Sequence, residues 1–327
     1  MHASRRHFIT GALAAGATAP FAQFGNADAQ ANTATALSVV ATTGMITDMA
    51  RVIGGEAVAV KGLMGAGVDP HAYRQTRSDI VAMRRSGLVL RHGMFLEAQM
   101  EKFFETLSAK VPVTAVGEAV PVSDRLAHDT YADKYDPHVW MDPDLWLHAV
   151  EATAQALSIA DPSRTEGYRE RAAAYSQAIS LQAEYSREIL GAVTPQRRVL
   201  VTAHDAFGYF GRAYGFDVVG IQGISTESEA GLNRISELVD LLVERGISGV
   251  FVETSVSDRN IRALIEGAAS RGHQVEVGGE LFSDAMGPEG TYEGTYLGMI
   301  DHNTTTIARA LGANAPAEGR LGRLAQL

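Results

Sequence analysis

The chain has 327 residues, of which 46% are hydrophobic, and its 38 acidic and 28 basic side chains give a formal net charge of −10 at pH 7. This length suffices for two domains with buried cores, and no uninterrupted apolar run reaches the roughly 18 residues of a membrane-spanning helix. The acidic balance argues against nucleic acid or an anionic membrane as a partner and is compatible with a cationic ligand.

The first 29 residues have the pattern of a cleaved export signal. Arg5 and Arg6 precede a weakly apolar segment rich in alanine and glycine, and Ala27-Asp28-Ala29 provides a small-x-small cleavage site. The paired arginines resemble a twin-arginine signal, although a mildly hydrophobic Sec signal has a similar pattern. The chain contains no cysteine, so we expect a periplasmic protein of a diderm bacterium, without disulfides and without a lipid-modified cysteine.

Predicted strands and helices alternate along the first part of the mature chain. We predict strands at 36–43, 58–64, 88–93 and 113–116, with helices at 45–53, 78–85, 95–109 and 145–159. Strands separated by helices imply a parallel sheet built from βα units. The polar stretch 122–135 has little apolar patterning and is predicted to be a mobile loop.

A long helix is predicted in the middle of the chain. Asp161-Pro162 has the composition of a helix start, and a helical pattern continues to Gly191. Its apolar positions keep close to a period of 3.6 and form one amphipathic face. About 30 residues at about 1.5 Å per residue give a rod of about 45 Å, which we expect to be a stiff connector.

The second half of the chain repeats the alternation of strands and helices. We predict strands at 198–203, 218–221, 249–252 and 275–278, with helices at 207–214, 232–245, 256–270 and 296–311. The chain therefore divides into an export signal at 1–29, an N-terminal α/β lobe at 30–160, a connecting helix at 161–192 and a C-terminal α/β lobe at 193–327.

Four side chains are candidate metal ligands. The sequence Asp-Pro-His occurs twice, at 69–71 and 136–138, and proline restricts the backbone just before each imidazole. Ligands of open parallel sheets bind outside the carboxyl ends of the strands, where three of these side chains are predicted to lie. We expect one metal ion to be held by His71, His138, His204 and Asp284.

Five further residues are candidates for a supporting role. His92, at the end of the third strand, is the alternative ligand and is otherwise expected in the wall of the site, while His128 could capture metal transiently. Glu253 is expected to orient an imidazole, with direct ligation as the alternative. Asp136 and Asp142 could either cap the proline turn or fix an imidazole tautomer, and we favour the capping role.

The expected ligand set indicates binding rather than catalysis. Three imidazoles and one carboxylate saturate a tetrahedral ion and leave no position for an activated water. Nitrogen-rich ligation favours Zn²⁺ over Mn²⁺, so zinc is the first choice and manganese the second. Two other functions stay open, namely an exported metallohydrolase with a labile water and a metal-buffering chaperone without an importer.

Six segments resemble the metal-binding substrate-binding proteins of bacterial ABC importers for zinc and manganese. In chain order they are GVDPHAY (67–73), DPHVWMDP (136–143), HDAFGYF (204–210), GISTE (223–227), ETS (253–255) and LFSDAMG (281–287). They span nearly all of the mature chain.

The resemblance implies two pseudo-symmetric lobes, each a four-stranded α/β sheet, joined by one long helix, with limited closure on metal binding. It also implies delivery of the metal to a membrane permease with a cytoplasmic ATPase. We expect a monomeric, non-catalytic protein, and a periplasmic metallochaperone is a further candidate partner. Zinc members often carry a His-rich loop where this chain has only His128 and a few aspartates. Manganese members often have a carboxylate at the position of His204. The short loop therefore argues against zinc, whereas His204 argues against manganese.

Overall fold

The structure is a computed structural model, and it describes residues 35–128 and 131–325. The predicted export signal lies outside the described residues. Among the residues that are described, no helix is both long and apolar enough to cross a membrane.

The N-terminal half contains one parallel four-stranded sheet. Its strands β1 (Leu37–Ala41), β2 (Val58–Gly62), β3 (Leu88–Arg91) and β4 (Val113–Ala115) lie in the order β2-β1-β3-β4. Val39 of β1 pairs with Val60 on one side and Leu88 on the other. Helices α1 (Gly44–Gly54), α2 (Arg77–Arg85) and α3 (Glu101–Ser108) connect the strands, which confirms the predicted α/β alternation.

The third helix begins later than predicted. The expected helix at 95–109 forms only as α3, after a 3₁₀ turn at Ala98–Met100. Met94 and Phe95 adopt left-handed backbone angles, with φ of 50° and 67°, which a right-handed helix does not accommodate. The buried carboxylate of Glu97 accepts hydrogen bonds from the backbone N–H groups of His92 and Gly93, at 2.7 and 3.1 Å, and closes this turn.

Two long helices follow, α4 (Pro143–Ala160) and α5 (Thr165–Gly191). The second has 27 residues and begins after a 3₁₀ turn at Pro162–Arg164, so the prediction of one helix from residue 161 was wrong by about one turn. It packs against α1 and α4 from the N-terminal half and against the last helix of the chain. Residues from both halves therefore cover the connecting helix.

The C-terminal half contains the four predicted strands in two hydrogen-bonded pairs. Strands β5 (Val199–Thr202) and β6 (Asp217–Gly220) form one parallel pair, and β7 (Gly249–Glu253) and β8 (Glu276–Leu281) form the other. Strands β5 and β7 lie side by side, but no ladder joins them into the single sheet that was expected. The helices of this half are α6 (Gly208–Tyr214), α7 (Leu232–Arg245), α8 (Arg259–Ser270) and α9 (Tyr296–Ala310).

Aromatic side chains contribute to a core that both halves share. Trp140, Trp146 and Tyr296 are fully buried in one core cluster that draws residues from both halves. The polar residues Asp301 and Asn303 of α9 are buried as well, because residues 298–308 of this helix are all buried. Residues of the loops that carry the candidate ligands, including Trp140 and Phe282, belong to this core.

Candidate metal centre

The structure brings the four predicted ligand side chains together. One donor atom from each of His71, His138, His204 and Asp284 lies within 4.8 Å of the others, and all four residues are buried. The Nε2 atoms of His71 and His138 are 3.3 Å apart. The Asp284 oxygens lie 3.3 Å from Nε2 of His138 and 3.1 Å from Nε2 of His204. We call these residues the four-donor cluster.

Each half of the molecule contributes two members of the cluster. In the N-terminal half, His71 follows β2 after a loop with a left-handed Gly67, and His138 precedes a 3₁₀ turn at Val139–Met141. In the C-terminal half, His204 follows β5 and Asp284 follows β8. The strand ends thus converge as the sequence predicted.

Two carboxylates orient the imidazoles of the cluster. Asp136 Oδ1 lies 2.6 Å from Nδ1 of His138, and Glu253 Oε2 lies 2.6 Å from Nδ1 of His204. The same carboxylates accept the backbone N–H groups of these histidines, each at 2.9 Å. Because each carboxylate holds a proton on Nδ1, loss of the second proton leaves the lone pair of Nε2 facing the centre of the cluster. Asp136 therefore both closes the turn and orients the ring.

The electrostatics of the cluster differ from one imidazole to the next. Burial lowers the pKa of His71 to about 3, so this ring is neutral near pH 7. Burial also disfavours charge on His138, but the carboxylates of Asp136 and Asp284 outweigh it and raise the pKa to about 9. At His204, Glu253 and Asp284 likewise outweigh burial and raise the pKa well above its ordinary value.

The buried acceptors of the cluster fit a cation. Within residues 35–128 and 131–325, neither oxygen of Asp284 has a well-aligned hydrogen bond, and the same holds for Nε2 of His204. Burial disfavours charge on Asp284, yet the surrounding imidazoles hold the pKa of its carboxyl well below the usual range. A buried carboxylate facing three imidazole nitrogens matches the donor set that binds divalent transition metals.

The alternative ligands lie outside the cluster. His92 is fully buried, edge-on to Trp140 at 4.9 Å and stacked on Trp146 at 6.1 Å between ring centroids, so it belongs to the wall. Asp142 is the N-cap of α4 and accepts the backbone N–H of Asp144 at 3.0 Å. His128 lies in the predicted polar loop, where its Nδ1 accepts the N–H of Tyr131 at 3.3 Å.

Some contacts that hold the ligand loops were not anticipated from the sequence. The Trp140 indole N–H donates to the Ser283 carbonyl at 2.9 Å and so joins the loop of His138 to the loop of Asp284. Asn303 on α9 bonds both backbone groups of Phe282, at 2.9 and 2.6 Å. The sequence signal for the Asn303 contact was the run of polar residues at 301–306, which lies in a helix without a consistently polar face.

Comparisons with known proteins agree with this geometry. The family model described as "Zinc-uptake complex component A periplasmic" (ZnuA) matches residues 39–310. The chain is 45% identical over 275 residues to the manganese-binding lipoprotein MntA of Bacillus subtilis, covering 84% of this chain and 90% of that protein. It is 45% identical over 273 residues to the zinc-binding protein TroA of Treponema pallidum, covering 84% and 88%. The solved structure of that TroA superposes with a TM-score of 0.83 at 44% identity and covers 85% of this chain and 99% of that one.

Proposed function

Because this chain belongs to the ZnuA and TroA family of periplasmic metal-binding components of ABC importers, we propose that it binds one divalent transition-metal ion, zinc in preference to manganese, and delivers it to a membrane permease. The observation that carries this proposal is the buried four-donor cluster, to which each half contributes two side chains. A site divided between two halves suits an ion that must later be released, because a small separation of the halves removes two ligands.

The donor set supports zinc as the preferred ion. The relatives named for manganese and for zinc match this chain at the same 45% identity, so overall similarity does not discriminate between the metals. Three imidazoles and one carboxylate favour Zn²⁺ over the harder Mn²⁺. The carboxylates of Asp136 and Glu253 lie on the Nδ1 side of the imidazoles, which leaves Asp284 as the proposed acidic ligand.

The family assignment supports the proposed partners and location. The family consists of substrate-binding transport proteins, and four enclosed donors leave no open position for a reactive water, so we propose a non-catalytic role. Its proposed partners are a permease with its ATPase and a periplasmic metallochaperone. We propose that the mature protein is a periplasmic monomer with lobes at 30–160 and 193–327, joined by the connecting helix at 161–192.

Deletion of the gene tests the proposed transport role. We expect zinc uptake and growth in zinc-poor medium to fall, and both to be restored by the wild-type gene. The protein isolated from its native periplasm should contain zinc by elemental analysis. Unchanged uptake in the deletion strain would favour a buffering chaperone, and a metal content dominated by manganese would reverse the choice of ion.

Zinc binding is expected to release at least about one proton near neutral pH. The carboxylates of Asp136 and Asp284 raise the pKa of His138 to about 9, so this imidazole carries a second proton at pH 7 that the metal must displace. The pKa of His204 is also raised, by Glu253 and Asp284, which acts in the same direction. His71, with a pKa of about 3, releases none. Affinity should therefore fall as pH decreases from 8 to 6, by about one decade or more per pH unit. Calorimetric titration in two buffers of different ionisation enthalpy measures the protons released, and a value near zero would contradict these protonation states.

Replacing Glu253 by glutamine is expected to lower zinc affinity by about 10- to 100-fold. Glutamine retains the size of the side chain but loses the charge beside Nδ1 of His204, which makes that imidazole a weaker base. Competition with a chelator of known affinity gives the change. Glu280→Gln, at an exposed position of β8, is the matched control and should bind zinc like the wild type.

A further inference from the structure

The two Asp-Pro-His motifs use their aspartates differently. In the second motif, Asp136 Oδ1 accepts the backbone N–H of His138 and also lies 2.6 Å from Nδ1 of the ring, so this carboxylate acts locally. In the first motif, Asp69 Oδ1 accepts the backbone N–H of His71 at 2.8 Å. Its second oxygen, Oδ2, accepts a hydrogen bond from the Thr226 hydroxyl at 2.6 Å. The carboxylates of the two motifs therefore differ: that of Asp136 bonds only its own histidine, whereas that of Asp69 also bonds a residue of the opposite half.

Thr226 belongs to the C-terminal half, in the segment at 223–227 that follows β6. The next residue in this segment, Glu227, also contacts the N-terminal half through the side-chain amide of Gln99. Both Asp69 and Thr226 are half-buried, and they line a cavity of about 190 Å³ together with Ser257. The hydrogen bond therefore lies at the edge of the interface between the halves.

We propose that Asp69 and Thr226 form a latch that ties the position of His71 to the closed arrangement of the two halves and thereby slows release of the metal. The proposal rests on the proposed metal-binding function. The Asp69 carboxylate holds the N–H of a ligand in the N-terminal half and the hydroxyl of a residue in the C-terminal half at the same time. Separation of the halves breaks the second bond and frees the carboxylate that positions His71. Asp69 and Thr226 are positioning residues, since neither is a member of the four-donor cluster.

The latch differs physically from the contacts of the other two histidines. The carboxylates of Asp136 and Glu253 bond the backbone N–H and the ring Nδ1 of His138 and His204. Each of these carboxylates lies in the same half as its histidine, so separation of the halves does not break these bonds. A hydroxyl bonded to a carboxylate is a short, charge-assisted hydrogen bond and is stronger than a neutral one. Loss of this bond should therefore destabilise the closed, metal-bound state and raise the rate of metal release, with little effect on the rate of association.

The test is the rate of zinc release from the purified protein into excess chelator, measured by stopped flow. Thr226→Val removes the hydroxyl at nearly constant volume and is expected to speed release about tenfold, with the association rate nearly unchanged. Thr226→Ser keeps a hydroxyl and should restore slow release. Ser257→Ala removes a hydroxyl from the same cavity that bonds the backbone of Arg259 instead, so it should release zinc like the wild type.

A double-mutant comparison completes the test. In an Asp69→Ala background, Thr226→Val should have no further effect on the release rate, because the bond is already absent. Release at the wild-type rate from Thr226→Val, or equal acceleration by Thr226→Ser, would overturn the latch. A wild-type protein that binds no zinc would instead overturn the proposed function, so the two failures are distinguishable.

Discussion

Replacing His138 by alanine is expected to lower zinc affinity by about 100- to 1,000-fold. Four-ligand zinc sites bind with about 10–16 kcal/mol, so one ligand accounts for about 3–4 kcal/mol, and every 1.4 kcal/mol is a factor of ten. The fully buried ring of His138 lies within 3.3 Å of both His71 and Asp284, so its loss removes a donor from the middle of the cluster. Titration with zinc in competition with a chelator measures the effect.

The matched control for this variant is His148→Ala on α4. His148 lies outside the four-donor cluster, so its replacement should leave both stoichiometry and affinity unchanged. Wild-type stoichiometry and affinity in His138→Ala would remove His138 from the ligand set and, with it, the proposed site. Retained affinity accompanied by turnover of a hydrolysable substrate would favour the metallohydrolase instead.

Replacing Trp140 by alanine is expected to destabilise the metal-free protein by about 3–5 kcal/mol. The side chain is fully buried between His92 and His138, and its indole N–H reaches the Ser283 carbonyl of the opposite half. The substitution leaves a cavity and also releases the residue that precedes Asp284. Urea unfolding followed by circular dichroism gives the loss in the free energy of unfolding.

Trp146→Ala is the matched control for a second expected effect of Trp140→Ala, which is weaker zinc binding. Trp146 is equally buried and stacks on Tyr296 at 5.8 Å between ring centroids, so Trp146→Ala should cost a similar free energy of unfolding. Its indole N–H has no hydrogen-bond partner among the described residues, so this tryptophan does not tie one ligand loop to the other. Trp140→Ala should also weaken zinc binding, by about tenfold, whereas Trp146→Ala should not. Equal zinc affinities in the two variants would show that the contact with Ser283 does not position Asp284.

The sequence allowed the alternation of strands and helices to be predicted because the hydrophobic periods are local. The strand β1 and the helix α7 both formed where their apolar spacing indicated. The predicted start of α3 was wrong because Met94 and Phe95 have left-handed backbone angles. The turn that contains them is closed by Glu97, whose partners include the distant Thr42 at 2.7 Å. Such a contact has no local sequence signature.

The four-donor cluster was predictable for a different reason. Asp-Pro-His recurs, and each of the other two donors follows a predicted strand, so the rule for parallel sheets places them at one edge. The sequence could not show whether Asp136 bonds the backbone N–H of His138 or its ring, because Asp-Pro-His is compatible with both contacts.

The sequence by itself determined the α/β class, the four side chains that meet, and the family to which the chain is similar, because these depend on local periodicity and on motifs that a few adjacent residues define. Only the tertiary structure decided how identical motifs differ. Asp136 bonds the ring of its own histidine, whereas Asp69 reaches Thr226, which is 157 positions away in the chain. The packing of the two halves against each other brings these two side chains within 2.6 Å. No local pattern in the sequence encodes that contact.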